Sequence, residues 1–323
     1  MIRKLLGRIF RRKSSVEDHP QTWVKRHAEV MRASELGLDL ALISHAALRT
    51  CQTLQQAGFN AFVVGGGVRD LLLGRRPKDF DVATNATPEE VVKLFRRART
   101  IGRRFQIVHV HFGRELIEVS TFRAIQTEAE TDAHGRVLKD NVWGSQEEDA
   151  ARRDFTVNAL YLDPIRDQLL DYHHGYRDLQ ARTLRMIGDP ASRYREDPVR
   201  MLRVARFAAK LGFSIEPQTR APIAAMADLL THVPAARLFD ELLKLLTSGH
   251  ALACIQTLRS EGLHHGLLPL LDGIFANDAG ERFIQQALSN TDARIAADKS
   301  ISPGFLLAAL LWPQVLAAWH KRL

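Results

Sequence analysis

Phe62-Val-Val-Gly-Gly-Gly-Val-Arg-Asp70 is followed nine residues later by Asp79-Phe-Asp81, and the order of these two pieces governs the reading of the chain. A short apolar strand runs into a glycine turn, an arginine follows, and two carboxylates then stand two residues apart. Gly65 and Gly66 carry no Cβ, so their backbone can approach a phosphate closely and take a positive φ where the turn needs one. Arg69 is spaced to add a forked cationic donor. In an extended Lys78–Val82 stretch the side chains alternate, so Asp79 and Asp81 face one way while Phe80 turns to the core. Their Cα atoms are then about 6.5–7 Å apart, near enough to share metal ions. Taken singly these features mean less: a glycine turn is usually only a turn, and a lone Asp-x-Asp is usually a solvated strand edge. In this order and spacing they predict a site for a nucleoside triphosphate and two magnesium ions.

At 323 residues the chain exceeds one typical core, which predicts two or more domains. Hydrophobic residues make up 46% and charged residues 25%, a globular composition. The net charge of +8 points to a polyanionic partner. Cys51 and Cys254 are the only cysteines, which fits a reducing cytoplasm better than a disulfide. No apolar run reaches the roughly 18–20 residues needed to span a membrane. Met1 to Lys13 is basic and lacks the apolar stretch of a signal peptide. It reads as a flexible arm attracted to RNA; the second reading is a small amphipathic helix, with Leu5, Leu6, Ile9 and Phe10 on one side, that touches a membrane surface.

Helical periodicity runs from Asp39 to Ala57, with Gly58 as its stop. Ala61–Val64 reads as a buried strand, and Asp70–Leu73 starts a short helix that Gly74 ends. Pro88 sits just inside a helix that follows Thr87 and runs to about Arg97. Phe105–Phe112 and Leu116–Phe122 alternate as strands across a turn at Gly113-Arg114. Thr127–Gly144 is polar and glycine-punctuated, a mobile loop. Beyond Ala151 helices dominate, and only Gln168–Tyr172 and Thr183–Met186 look extended. The pattern predicts an α+β chain, with a mixed-sheet head to about residue 172 and an all-α remainder. Phe305–Trp312 is apolar almost all round, as a buried helix is.

Three further blocks follow the first: Arg152-Arg-Asp-Phe-Thr-Val-Asn-Ala-Leu160, Arg193-Tyr-Arg-Glu-Asp-Pro-Val-Arg200 and Met201-Leu-Arg-Val-Ala-Arg-Phe207. With these four blocks in order over residues 59–213, the chain resembles the nucleotidyltransferases of the DNA polymerase β superfamily. More narrowly, it resembles the class II branch that holds bacterial poly(A) polymerases and CCA-adding tRNA enzymes. The resemblance implies a basic flexible arm over residues 1–37, a nucleotidyltransferase head over 38–172 and a helical neck over 173–250 for nucleotide recognition and RNA binding. The start of a helical body follows over 251–323, and relatives of this kind continue with further helices and a basic tail.

The reaction so implied is attack of an RNA 3′-hydroxyl on the α-phosphate of a nucleotide, with release of pyrophosphate. Such chemistry depends mainly on positioning and charge neutralisation. Asp79 and Asp81 are expected to hold the metals, and magnesium suits an oxygen-only site that also takes phosphate ligands. A third carboxylate is needed. The resemblance points to Asp154, while Glu118 competes because it shares a strand face with Ser120; whichever loses is expected to be a structural ion-pair partner. Arg152 and Arg153 are expected on the triphosphate and Asn158 on the ribose. As mere surface ion pairs the two arginines would be worth at most about 1 kcal/mol each.

Pro198 suits a first helical turn, so Glu196, Asp197 and Arg200 fall on neighbouring surface. A carboxylate that accepts from an exocyclic amine, beside a guanidinium that donates to a ring nitrogen, admits adenine or cytosine and rejects guanine and uracil. The plainer reading of the same residues is an N-cap acid with an ion pair. Arg203 is expected to join the phosphate or base contacts, while Leu202, Ala205 and Leu211 pack inward. His173-His174 reads as a loop pair rather than a metal site. His109 and His111 share a strand face, where they touch RNA or sit half-buried.

Thr100–His109, the basic N-terminus and the wording from Tyr194 to Arg203 resemble the poly(A) polymerases more closely than the CCA-adding enzymes. The expectation is therefore template-independent addition of AMP from ATP to RNA 3′ ends, in mRNA polyadenylation and RNA turnover, by a cytoplasmic monomer. CCA addition to tRNA ranks second, and a catalytically inactive RNA-binding protein third.

Overall fold

The computed structural model describes residues 27–102, 105–125, 142–264 and 278–320. The basic arm up to residue 26, Arg103-Arg104 and residues 127–141 of the expected Thr127–Gly144 loop lie outside the described residues.

Ala61–Val64 is buried at every position, as a strand covered on both faces must be. In chain order the strands of its sheet are Glu29–Arg32 (β1), Ala61–Val64 (β2), Asp81–Thr84 (β3), Ala98–Ile101 (β4), Ile107–Phe112 (β5), Glu115–Thr121 (β6), Leu160–Asp163 (β7) and Gln168–Asp171 (β8). They are arranged β1-β8-β7-β2-β3-β6-β5-β4, and every pair is antiparallel except β3 with β6. One face packs the helices His45–Gln56 and Pro88–Leu94 over Val63, Val82 and Ile117. The other carries an aromatic cluster of Phe62, Phe122 and Tyr161 against Ala150 of the Gln146–Arg152 helix.

A second core is helical and runs from Phe155 to Leu310. Its centre is the Val199–Leu211 helix, which contacts both Ala235–Leu246 and Ala251–Ser260. Leu202, Ala205 and Leu211 are buried there as expected. Phe155 and Val157 belong to this core rather than to the sheet's. The two parts therefore join through the Arg152–Asn158 connector, and the boundary expected near residue 172 is crossed by earlier residues.

The mixed sheet with a helical remainder agrees with the α+β expectation, and several element limits differ for local reasons. Glu29–Arg32 is an edge strand paired with β8, so the expected arm over 1–37 gives up its last residues to the sheet. The expected Asp39–Ala57 helix splits into a 3-10 turn, Leu40–Leu42, and a helix from His45, because the Ser44 side chain caps the Ala47 amide. The short helix starts at Gly66 rather than Asp70. Thr87 and Glu90 form a capping box that starts the next helix, but it ends at Leu94, and the residues read as its last turn lead into β4. The strand carrying the two acids begins at Asp81, not Lys78, although Asp79, Phe80 and Asp81 still alternate exposed, buried, exposed. Leu160–Asp163, read as part of a helical region, is a fully buried strand.

Pro303–His320 is helical, and among its described side chains the buried ones form one stripe through Leu306 and Leu310. Phe305 is 61% exposed and Trp312 52%, so the fully buried helix expected there is half open among the described residues.

Candidate active site

The strand-to-helix turn after β2 is built on Gly65, whose φ of +72° and ψ of −136° suit only glycine. A Cβ there would lie 3.6 Å from Nη1 of Arg153 and 3.8 Å from Oδ2 of Asp81. The turn therefore stands against both an acid and a cation of the site. Gly67, in the first turn of the following helix, is closer still: its Cβ would meet the Phe80 ring at 3.2 Å. That contact locks the glycine turn to the segment carrying the two acids.

Asp81 opens β3 and is the register partner of Glu118 on β6. Although its side chain still meets solvent, desolvation by the protein crowded around it, then the Glu118 and Asp79 carboxylates, push the Asp81 carboxyl up to about 6, with Arg153 partly opposing. Like charges gathered at a cleft leave room for a divalent cation to relieve the repulsion, and oxygen donors suit magnesium. Among the described residues no three such side chains converge closely enough to hold a metal by themselves, so phosphate oxygens would have to complete the coordination. The raised value has a sign. In the metal-free protein Asp81 keeps its proton to a higher pH when folded than when unfolded. Its share of stability is therefore greatest at low pH and is lost as pH rises from about 4 through about 6. Asp81→Asn should raise Tm at pH 7.5 by about 1–3 °C, after screening by solvent, and much less at pH 4.5. Calorimetry in a chelator checks this, and equal shifts at both pH values would contradict it.

Arg153 is a fixed cation. It follows the Gln146–Arg152 helix, and its Nε donates to the Tyr161 hydroxyl at 3.0 Å while Nη2 donates to Asp149 at 3.2 Å. Tyr161 in turn donates to the same Asp149 oxygen at 2.6 Å. Burial acts to lower the Arg153 pKa, but Tyr161 and Asp149 raise it above the usual range. Arg152 donates to the Ala124 carbonyl at 3.0 Å.

Asp154 is engaged differently. Arg203 donates to its Oδ2 from Nε at 2.9 Å and again from Nη2, and Asn158 donates to Oδ1 at 3.2 Å. Burial acts to raise this carboxyl, but Arg203, Asn158 and the Phe155 amide hold it below the ordinary range. Of the two candidates for the third acid, then, Glu118 is the one paired in the sheet with Asp81, and Asp154 is the one held by an arginine.

Arg69, expected on a phosphate, lines the cleft but is only 3% exposed and is held by its neighbours. It bonds Asp70 at 2.7 Å and donates from Nη1 to Asn158 at 2.6 Å. It thereby orients Asn158 from a helix 89 residues away in sequence.

Glu196, Asp197 and Arg200 are neighbours, as their spacing predicts, but their pairings are specific. Arg200 bonds Glu196 at 2.8 Å, and Asp197 is bonded by Arg237 at 2.9 Å. Asp197 and Arg200 line the same cleft, of about 770 Å³, as Gly65, Asp79, Asp154 and Arg203. Glu196 does not line it and instead holds Arg200 from behind. Basic side chains outnumber acidic ones two to one along this cleft, which suits a polyanion.

Several working parts were not read from the sequence. Arg193 donates from Nη2 to the carbonyls of Arg152 at 2.7 Å and Arg153 at 2.9 Å, clamping the connector that carries Asp154. Burial, with Arg200 adding, pushes its pKa down to about 10. Its i,i+3 spacing to Glu196, and that of Asp149 four residues before Arg153, were the available signals. The Arg237 and Glu241 contacts across the cleft left no such mark. His173 and His174 form a turn around the Asp171 carboxylate, the loop pair expected.

The family described as Poly A polymerase head domain matches residues 61–185, and the one described as Probable RNA and SrmB- binding site of polymerase A matches residues 212–275. Poly(A) polymerase I of Salmonella typhi is 47% identical over 93% of this chain and 67% of its own length. Poly(A) polymerase I of Escherichia coli is 49% identical over 86% of this chain and 62% of its own. The crystal structure of the Bacillus stearothermophilus CCA-adding enzyme in complex with CTP superposes with a TM-score of 0.60 at 36% identity, covering 69% of this chain and 54% of that one. The chain thus spans about two thirds of the length of these polymerase relatives.

Proposed function

Since the chain belongs to the poly(A) polymerase I family, we propose that it adds AMP from ATP to RNA 3′ ends without a template and releases pyrophosphate. The observation that carries this reading is that the glycine turn and Asp79 line one basic cleft together with Asp197 and Arg200, and that Asp81, with Glu118 as its sheet partner, stands directly against Gly65 of that turn. The first group suits phosphates and metal; the second suits a base edge.

Asp79, Asp81 and Glu118 are the residues that would hold magnesium, and bound magnesium would lower the pKa of the attacking hydroxyl and neutralise the triphosphate. The Gly65 turn leaves room for the phosphates, and Arg153, fixed by Asp149 and Tyr161, supplies a cation that need not reorganise during the reaction. Asp154 and Asn158 present polar atoms where a ribose would lie, with Arg203 and Arg69 holding them in place. Arg152 adds charge at the rim. Arg200, braced by Glu196, donates to the ring nitrogen of adenine, and Asp197 accepts from its exocyclic amine once Arg237 yields. Guanine and uracil would leave these groups unpaired.

We read the protein as a monomer acting on RNA in the cytoplasm. Both cysteines are free and buried, and no described helix is long and apolar enough to cross a membrane.

CCA addition is the second reading, since the head resembles that of the CTP-bound CCA-adding enzyme. Offering ATP and CTP separately to an unstructured RNA and to a tRNA lacking its terminal triplet separates the two. Long homopolymeric extension of the plain RNA with ATP is the expected result. A stop after a few C and A residues, on tRNA alone, would overturn it.

A further inference from the structure

We propose that the growing RNA enters from the β4 edge along the sheet face that bears Asp81 and Glu118, with Arg97 and Arg99 gripping its phosphates, a contact surface separate from the segment over 212–275. The proposal rests on the polymerase reading of the carboxylate site.

Its basis is sheet register. Arg99 on β4 pairs with His109 on β5, His109 with Glu118 on β6, and Glu118 with Asp81 on β3. Register partners in adjacent strands project from the same face, so these four side chains form one row. At roughly 4.8 Å per strand, the row runs about 14 Å from Asp81 out to the sheet edge. Period-two alternation adds Arg97 and His111 on the same face, and the His111 amide donates to the Arg97 carbonyl at 3.0 Å.

The row has a direction of charge. Its inner end is acidic at Asp81 and Glu118, and His109 lies 3.7 Å from Glu118. Its outer end is cationic: Arg97 and Arg99 are exposed, and their side chains have no ion-pair or hydrogen-bond partner among the described residues. Nearby, at the β4–β5 connection, Phe105 is 43% exposed and stacks under Arg123. Exposed cations on a strand whose following connection carries an exposed aromatic ring suit single-stranded nucleic acid, the cations for phosphates and the ring for bases.

The chemistry requires an entry on this side. In phosphoryl transfer the attacking and leaving oxygens are in line, on opposite sides of the phosphorus. The groups suited to the nucleotide come from the end of β2, from the connector before β7 and from the helices beyond, all on one side of β3. The attacking 3′-hydroxyl therefore approaches from the other side, where β6, β5 and β4 lie. Phosphates are kept from the acidic inner end and meet the arginines two strands beyond Glu118.

Charged side chains on an edge strand also serve simply to block sheet-to-sheet pairing, and the test separates the two roles. Binding of a short fluorescent unstructured RNA is measured against salt for the unsubstituted chain and for Arg97→Gln/Arg99→Gln. The expected result is about tenfold weaker binding and a log–log salt slope shallower by about 1.4, two phosphate contacts on a single strand. ATP affinity by calorimetry and Tm should not change. Unchanged RNA affinity and slope would overturn the track. As a second measurement, RNA carrying 4-thiouridine next to its 3′ end should crosslink to the unsubstituted protein within residues 97–112; crosslinks confined to residues 212–264 would also overturn it. Failure of the unsubstituted chain to incorporate AMP would sink the polymerase reading and the track with it. Incorporation with a silent double substitution would sink the track alone.

Discussion

Asp79→Ala and Asp81→Ala should each reduce AMP incorporation by on the order of 10³-fold, corresponding to about 4 kcal/mol of lost transition-state stabilisation, while affinity for short RNA should be nearly unchanged. The asymmetry follows from placement. Both acids are suited to metal and triphosphate, whereas RNA phosphates would be repelled by them and must be held elsewhere. Glu118→Ala belongs with these two, because Glu118 is the sheet partner of Asp81 and acts directly on its charge. Asp154→Ala should behave differently. It removes the acceptor for Arg203 and Asn158 at the ribose position, so KM for ATP rises more than kcat falls. Single-nucleotide incorporation kinetics with a parallel RNA-binding assay measure all four. A mild Glu118→Ala beside a dead Asp154→Ala would reverse the assignment of the third acid and restore the choice that family resemblance favours.

The second large effect is on stability. Arg206 bonds Glu241 at 2.6 Å, and the two residues are only 8% and 3% exposed. The pair ties the Val199–Leu211 helix to Ala235–Leu246, the two helices that carry Arg200, Arg203 and Arg237 to the cleft. Removing one member leaves a buried charge without its partner, a loss of about 3–5 kcal/mol. Lys244, 3.7 Å from Glu241 and mostly solvated, offsets little of that. Arg206 also covers the Phe207 ring at 4.5 Å, so Arg206→Ala loses packing as well. Urea unfolding should show the full loss for Arg206→Ala and a much smaller one for Arg206→Leu combined with Glu241→Leu, since the double change removes both charges together. Equal losses in the single and double variants would mean that packing, not the ion pair, holds the helices.

Much of the head was legible because its signals are local. The buried run Ala61–Val64, the glycine turn and the alternation of Asp79, Phe80 and Asp81 depend on neighbouring residues alone, and the structure retains each of them. Elements without a local signature were misread. Leu160–Asp163 has only three apolar residues before its aspartate, and so short an apolar run cannot be told from buried helix by periodicity. Glu29–Arg32 is mostly exposed and becomes a strand only because β8 offers it an edge.

The sequence by itself therefore determined the α+β class, the order of head before helical part, the glycine turn and the two acids beside it. Backbone freedom at glycine and the two-residue period of an extended chain act within a few residues and need no partner. Tertiary structure alone decided what the charged groups do once folded. It joined Arg69 to Asn158, bound Asp154 to Arg203, and set Glu118 beside Asp81 through the one parallel pairing in the sheet. The reason is range: the charge state and direction of a polar side chain depend on whichever partner lies within about 4 Å of it, and that partner can come from any distance along the chain.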